Sequence, residues 1–255
     1  MKSTGFDRIV LATDGSEQAR AALALTTSIA VASTAQVRVV HVWSLEVHHR
    51  HGVWDVEMRR EAEALIDETV TALREAGVDA TGEIRRADRA HVAASIAEAA
   101  RAFDADLVVV GSRGLPDWQA MVQHSTSHQL LESVDAPVLI VRAQPPAVGH
   151  EGHRVALAIA GGDDVRPGVQ AAIAAASAPN SEILVVHVAQ AIIGVQGFAY
   201  VEPDEEIQQT LGLAKKLIQD AGIAVTSVVA QAGPVAHVLA GVAASWDADL
   251  IVVGG

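Results

Sequence analysis

The sequence predicts an α/β protein of two tandem, doubly wound domains, each built on a parallel β-sheet with helices on both faces. The segment VVHV at residues 39–42 recurs at residues 185–188, which indicates an internal repeat. Short apolar runs alternate along the chain with segments of helical periodicity, as in βαβ units. Hydrophobic residues make up 50% of the chain but aromatic residues only 3%, so alanine and aliphatic side chains must fill the interior.

The first copy of the repeat is predicted to alternate strands with helices. The strands fall near residues 8–13, 36–42, 80–86, 106–110 and 137–142. The helices fall near residues 16–32, 56–76, 90–102 and 125–134, where Ala, Leu and Ile recur at helical spacing. Opposite charges at helical spacing and the terminal Gly77 support the second of these helices. This alternation favours a parallel sheet.

The second copy repeats the strands near residues 154–159, 182–188, 224–230 and 249–253. Its last strand is marked by WDADLIVVG, ending at Gly254, which matches FDADLVVVG, ending at Gly111. The given chain stops just after this strand, so the second copy is expected to lack the last helix and strand of the first. Prolines and glycines near residues 143–152 interrupt both periodicities, and we therefore predict domains over residues 1–145 and 152–255.

Composition and charge exclude several classes of partner. The chain has 31 acidic and 18 basic residues, a formal net charge of -13, which opposes binding to nucleic acid or anionic lipid. It has no cysteine, which excludes disulfides and thiolate metal sites. The N-terminus lacks the apolar core of a signal peptide, and the longest uncharged stretch, 183–201, contains His, Gln and Gly and is interpreted as a buried strand followed by an apolar loop. We expect a cytoplasmic protein with no membrane partner.

The loop after the first predicted strand is one candidate ligand site. Ligands of open parallel sheets bind beyond the carboxyl ends of the strands, and Asp14 lies there, followed by Gly15 and Ser16. Its carboxylate could accept hydrogen bonds from ribose hydroxyls or an adenine amine. The structural alternative is an Asp in a solvated turn or at a helix N-cap.

The loop after the fourth predicted strand is the second candidate. Gly111 and Gly114 flank Arg113, and Ser125, Thr126 and Ser127 begin the next predicted helix. Glycines let an anion approach the backbone, and an N-terminal helical turn offers unpaired N–H groups. The alternative is a strand-to-helix turn that needs glycine for its own conformation.

These segments together resemble the universal stress protein family in its tandem form. The resemblance rests on VLATDGSEQA, VVHV, DADLVVVGSRGL and STSHQLLESVDAPVLIVR, and it covers essentially the whole chain. It implies five parallel strands in the order 3-2-1-4-5. The nucleotide-binding branch of the family has a third glycine where this chain has His124, which could crowd a phosphate or, when protonated, help to neutralise it.

By the resemblance, the first domain binds ATP or a related adenine nucleotide, with or without Mg²⁺. Asp14 would bind the adenosine part and the backbone near Val42 would contact adenine. The phosphate-side residues would be Gly111, Arg113, Gly114, His124, Ser125, Thr126 and Ser127. The residue that matches Asp14 in the second copy is Ala160, so that copy is not expected to be a second nucleotide site.

Other polar residues have structural interpretations. His48, His49 and His51 could bind a metal but fit a polar loop better, because a metal site needs converging ligands. His41 and His187 are expected to be packed, hydrogen-bonded histidines at strand ends, rather than catalysts. The arginines Arg85, Arg86 and Arg89 could attract phosphate, but we expect them to form ion pairs at the surface.

The predicted function is a stress-response regulatory module that binds an adenine nucleotide and hydrolyses it little or not at all. No GxxxxGK[ST], GxSxG or HExxH motif is present, and a phosphoryl-transfer clamp would have only Arg113 in the loop. One alternative is a member that has lost nucleotide binding and works by dimerisation or partner contact. Another is a slow phosphohydrolase. A homodimer is expected, with the apolar run at residues 138–141 as the candidate pairing segment.

Overall fold

The computed structural model describes residues 5–44, 53–112, 126–131, 133–142, 152–160, 164–188, 191–194, 197–200, 204–230 and 235–254. These residues form two compact units. The first contains the described residues up to 112 and those from 129 to 142, and the second contains residues 126–128 and those from 152 onwards. Each unit is a layered α/β structure.

The first unit is organised by a parallel sheet in the order β3-β2-β1-β4-β5. Its strands are β1 (Arg8–Ala12), β2 (Gln36–Ser44), β3 (Ala80–Ala87), β4 (Leu107–Ser112) and β5 (Val138–Arg142). The central strands are almost wholly apolar because helices cover both faces, and Ile9, Leu107 and Leu139 have no exposed surface. The strand pairings confirm the predicted parallel sheet and the predicted strand order 3-2-1-4-5.

The helices connect consecutive strands of this sheet. They are α1 (Glu17–Ser33), α2 (Val53–Glu75), α3 (Val92–Ala102) and the short α4 (Thr126–Leu131), with a 3₁₀ turn at Arg89–His91 before α3. Helix α1 packs against β1, β4 and β5, α2 against β2 and β3, and α3 against β1, β2 and β3. Parallel crossovers are right-handed, so the reversal of strand order at β1 sends the helices to opposite faces of the sheet.

The second unit repeats this arrangement with four strands in its described sheet, in the order β10-β7-β6-β11. Its strands are β6 (Arg154–Ile159), β7 (Glu182–Val188), β8 (Ala191–Gly194), β9 (Gly197–Tyr200), β10 (Ala224–Ala230) and β11 (Leu250–Val253), and its helices are α5 (Arg166–Ala175), α6 (Asp204–Asp220) and α7 (Val235–Ser245). Strands β6, β7, β10 and β11 all run parallel.

The segment expected to be an apolar loop is instead a hairpin. Strands β8 and β9 pair antiparallel, with Gly194 opposite Gly197 across a two-residue connection. Branched and aromatic residues precede and follow these glycines, a composition that favours a tight β-turn between short strands. Among the helices in the described part of the chain, none combines the length and the apolar character needed to cross a bilayer.

Candidate functional site

The candidate site lies where the strand order of the first sheet reverses. Strand β1 is flanked by β2 and β4, with Ala12 in register with Val40 on one side and with Val110 on the other. Asp14, two residues beyond β1, and Gly111, the last residue but one of β4, therefore lie at the same edge of the sheet. This edge is where open parallel sheets bind ligands, because the crossovers leave it in opposite directions.

The loop after β1 is a tight turn that leads directly into α1. Gly15 has φ of 75°, a conformation that glycine adopts without a steric penalty. The Oδ1 atom of Asp14 accepts a hydrogen bond from the Ser16 N–H at 3.0 Å, and the Ser16 hydroxyl caps α1 by accepting from Ala19 at 3.2 Å. Asp14 therefore stabilises its own turn, as the structural interpretation expects, and its side chain is exposed at the sheet edge.

A histidine from β2 supports this loop. The Nδ1 atom of His41 lies 2.8 Å from the carbonyl oxygen of Thr13, the residue before Asp14. His41 is therefore a hydrogen-bonded histidine at a strand end, as predicted. Val42, the next residue, lies beyond the last residue of β1 and is in register with Arg85 of β3. Its backbone is placed at the same edge as the Asp14 loop.

Gly111 ends the apolar part of β4 and touches the start of α1. A Cβ built on it would lie 2.6 Å from the carbonyl carbon of Gln18 and 2.7 Å from the nitrogen of Ala19. Both atoms belong to the backbone, so the contact cannot be relieved by rotating a side chain. Packing alone therefore accounts for a glycine here.

The structure brings together some of the predicted site residues and does not describe others. Asp14, Val42 and Gly111 share one edge of the sheet. Thr126 and Ser127 begin α4, as the sequence predicts to within one residue. The predicted residues Arg113, Gly114, His124 and Ser125 lie outside the described residues, as do His48, His49 and His51. Within the described ranges, no group of three His, Asp or Glu side chains could hold a metal ion.

Trp43 and Arg86 form a pair at this edge that the sequence reasoning missed. They are in register on β2 and β3, and the Arg86 guanidinium stacks over the indole at 4.7 Å from the ring centroid. The Trp43 side chain is 5% exposed, and its indole N–H has no hydrogen-bond partner among the described residues. The period-two alternation of β2 could have placed Trp43 on the same face as His41, but it gives no signal for the pairing with Arg86.

Of the arginines expected to be ion-paired, Arg85 of β3 is shown to be so. The Arg85 side chain forms ion pairs with Glu83 at 2.8 Å and with Glu98 at 3.2 Å, and it also donates to the Ser95 carbonyl. These contacts hold Arg85 against α3, so it is not aimed at the candidate site.

The second unit retains a histidine that supports the loop, but it has no acidic residue at the position of Asp14. The Nδ1 atom of His187 lies 3.2 Å from the carbonyl oxygen of Ile159, the last residue of β6, and the ring is buried. The residue that follows is Ala160, which has no group to bind a polar ligand. Asp164, further along the same connection, accepts from the Arg166 N–H at 3.2 Å and so supports the start of α5.

Comparison with known proteins agrees with this geometry. The model of the universal stress protein family matches residues 5–142 and again residues 152–255. The chain belongs to the universal stress protein family. It is a tandem member, because each of its two repeats matches the family separately.

Individual relatives match one domain or both. The universal stress protein YxiE of Bacillus subtilis is 26% identical over 150 residues, and a universal stress protein of Thermus aquaticus is 30% identical over 138 residues; each alignment covers 54% of this chain and 99% of the relative. A universal stress protein structure from Archaeoglobus fulgidus covers 97% of this chain and 96% of its own, at 17% identity and a TM-score of 0.63.

Some matched family structures contain adenine nucleotides. One is a universal stress protein in complex with cAMP, at 22% identity over 55% of this chain, 98% of its own chain and a TM-score of 0.43. Another, from Arabidopsis thaliana, has AMP bound, at 20% identity over 53% of this chain, 91% of its own chain and a TM-score of 0.41.

Proposed function

We propose that the first domain binds ATP or a related adenine nucleotide, hydrolyses it little or not at all, and acts as a stress-response regulatory module. The observation that supports this most directly is that Asp14 is exposed at the reversal of strand order, beside the backbone of Gly111. A carboxylate at this position can accept hydrogen bonds from ribose hydroxyls or an adenine amine, whose donors must be satisfied when the nucleoside leaves water.

With the nucleotide placed at this edge, we propose the following contacts for its adenine ring, ribose and phosphates. The backbone of Val42, beyond the end of β1, is available to the adenine ring. Gly111, Arg113, Gly114, His124, Ser125, Thr126 and Ser127 are proposed to surround the ribose and phosphates. Mg²⁺ would enter with a triphosphate, since it prefers phosphate oxygens and water to an all-protein site.

Slow turnover is proposed because described arginines near the site make contacts within the protein. Phosphoryl transfer needs positive groups aimed at the leaving phosphate. Arg20 is the basic side chain next to the Asp14 loop, and it donates to the Gly15 carbonyl at 3.1 Å. Arg85 is paired with acidic residues on the α3 side. Arg20 and Arg85 are thus held by contacts within the protein, which supports the proposal of binding without efficient hydrolysis.

The second domain is proposed to contribute structure or partner contacts rather than a nucleotide site, because Ala160 replaces the acid. The cytoplasmic location and the homodimer expected from the sequence are also proposals. The run at residues 138–141, named for pairing, is buried in the described structure, and its role in association stays a prediction.

One observation favours the alternative of a partner-interaction module that binds no nucleotide. Asp14 supports its own turn and Gly111 permits the contact of β4 with α1, so both residues have structural roles without a ligand.

Calorimetric titration of the full chain with ATP, AMP and cAMP distinguishes these two functions. We expect saturable binding of at least one nucleotide with one site per chain, and slow or undetectable release of phosphate from ATP. Absence of heat for all three nucleotides at high protein concentration would favour the interaction module. Rapid phosphate release would instead support the phosphohydrolase.

A further inference from the structure

Strand β10 is the terminal strand of the second sheet and is exposed along most of its length. It pairs with β7 over Ala224–Ala230, and among the described residues no strand lies on its other side. Val228 is 36% exposed and Val229 is 41% exposed, although adjacent residues of a strand point to opposite faces. A terminal strand with apolar side chains accessible on both faces offers backbone groups and side chains to another strand.

Strand β10 lacks the charged residues that protect β3, which is a terminal strand of the first sheet. Strand β3 carries Glu83 and Arg85, and these charges form ion pairs along it. Natural proteins place charges on terminal strands to prevent them from pairing with other chains. The sequence of β10, AVTSVVA, contains no charged residue. Pairing along β10 would therefore bury no charge.

The sequence of β10 is close to a palindrome, so a second copy of β10 can pair with it in the antiparallel direction. When two copies are placed antiparallel about Ser227, Ala224 faces Ala230, Val225 faces Val229 and Thr226 faces Val228. Each of the last two pairs joins β-branched residues, which pack well across antiparallel strands. A strand that complements itself in this way fits an isologous contact, in which the same surface is used by both copies.

We propose that two copies of this chain associate through β10, pairing antiparallel about Ser227 to join their second sheets. Two chains that each carry a formal charge of -13 repel one another, and a contact surface without acidic residues adds no local repulsion. Strand β10 provides such a surface. The added backbone hydrogen bonds and the valine contacts on both faces would offset the repulsion. This surface is distinct from the nucleotide site of the first domain, and the proposal does not depend on nucleotide binding.

The proposed register can be tested with two matched double variants of the full chain. Thr226→Lys/Val228→Lys places a lysine opposite a lysine twice in the dimer. Thr226→Glu/Val228→Lys alters the same two positions but places a glutamate opposite a lysine twice. Both changed side chains are exposed in the single chain, so circular dichroism and thermal unfolding should show that both variants fold.

Light scattering over a dilution series provides the main readout. We expect a dimer for the wild-type chain, a dissociation constant raised about tenfold or more in Thr226→Lys/Val228→Lys, and one within about threefold of wild type in Thr226→Glu/Val228→Lys. High salt should reduce the difference between the dissociation constants of the two variants, because it screens the introduced charges. A wild-type chain that stays monomeric at tens of micromolar would overturn the proposal. Equal dissociation constants for both variants would also overturn it, since association would then use another surface.

Discussion

The imidazole of His41 donates a hydrogen bond from Nδ1 to the carbonyl oxygen of Thr13, with 2.8 Å between the two atoms. Because a carbonyl oxygen can only accept, Nδ1 carries the proton. The bond joins the end of β2 to the residue before Asp14. It fixes the start of the loop that presents the carboxylate.

The second domain contains the same bond without the carboxylate. His187 donates to Ile159, the counterpart of Thr13, and Ala160 follows. The bond is therefore part of the architecture of each repeat and is retained in a copy that has no acid to position. Its contribution to a ligand in the first domain is indirect, through the loop.

We expect Asp14→Ala to weaken adenine-nucleotide binding by about tenfold or more, because a hydrogen bond to a charged group contributes about 1.5–3 kcal/mol. Calorimetry measures this change. Asp164→Ala is the matched control, since it removes a similar turn hydrogen bond, to the Arg166 N–H, from the second domain. Equal affinities for Asp14→Ala and wild type would remove Asp14 from the site.

We expect His124→Gly to strengthen ATP binding. The family pattern has a glycine at this position, and glycine allows a closer approach of phosphate to the backbone. Titration of the variant and the wild type with ATP provides the comparison. If the variant binds more weakly, the histidine is a phosphate ligand, and wild-type affinity should then fall as pH rises and the imidazole loses its charge.

We expect Gly111→Ala to destabilise the first domain by about 1–3 kcal/mol, the usual cost of overpacking, because its Cβ would meet the backbone of Gln18 and Ala19. Denaturant unfolding measures the loss. Gly212→Ala in α6 is the control, because its Cβ would meet nothing within 4 Å, and it should raise stability by about 0.5–1 kcal/mol. Similar stabilities for the two variants would show that the contact relaxes easily.

We expect His41→Ala to lower nucleotide affinity by less than Asp14→Ala does, because His41 acts through the loop. Its loss should also cost about 0.5–1.5 kcal/mol of stability, the usual contribution of one hydrogen bond. His187→Ala removes the equivalent bond in the second domain, and its nucleotide affinity should equal that of the wild type. A comparable loss of affinity in both variants would mean that the effect is general destabilisation.

The pKa of Asp88 is held below its ordinary value, first by the side-chain hydrogen bond from His91 and then by attraction to that residue and by backbone hydrogen bonds. Since the pKa is lowered on folding, the stabilisation is present above the unfolded pKa of about 3.9 and is lost as pH falls through the folded value. Carboxyl titration by NMR should show the Asp88 pKa rising in His91→Ala. An unchanged value would contradict this role of His91.

The sequence predicts elements that are long or strongly patterned, and it misses those defined by tertiary contact. The helix predicted over 56–76 is Val53–Glu75, and the strand predicted over 182–188 has those same bounds. The hairpin of β8 and β9 was missed because strands of four residues are too short to show a period of two.

The candidate site was predictable to a similar degree. Asp14 and Gly15 form a recognisable turn at the end of an apolar run, and the structure places them at the expected edge. The packing of Gly111 on α1 could not be anticipated, because it joins segments that are far apart in the chain. The stacking of Arg86 on Trp43 depends on the register of β2 and β3, which the sequence does not reveal.

The contact of Gly111 with the first turn of α1 affects how loss of function would be recognised in related chains. Substitution of Gly111 would destabilise the fold, so selection would retain this glycine even in a lineage that no longer binds any ligand. Its counterpart Gly254 in the second repeat is less restricted, because a Cβ there would make only ordinary contacts, 3.7 Å from the Ala158 carbonyl oxygen and 3.8 Å from the Gly168 Cα. A glycine at position 111 therefore reports a folded first domain and not a bound ligand, so a domain that has ceased to bind is better recognised by measuring binding than by the loss of this glycine.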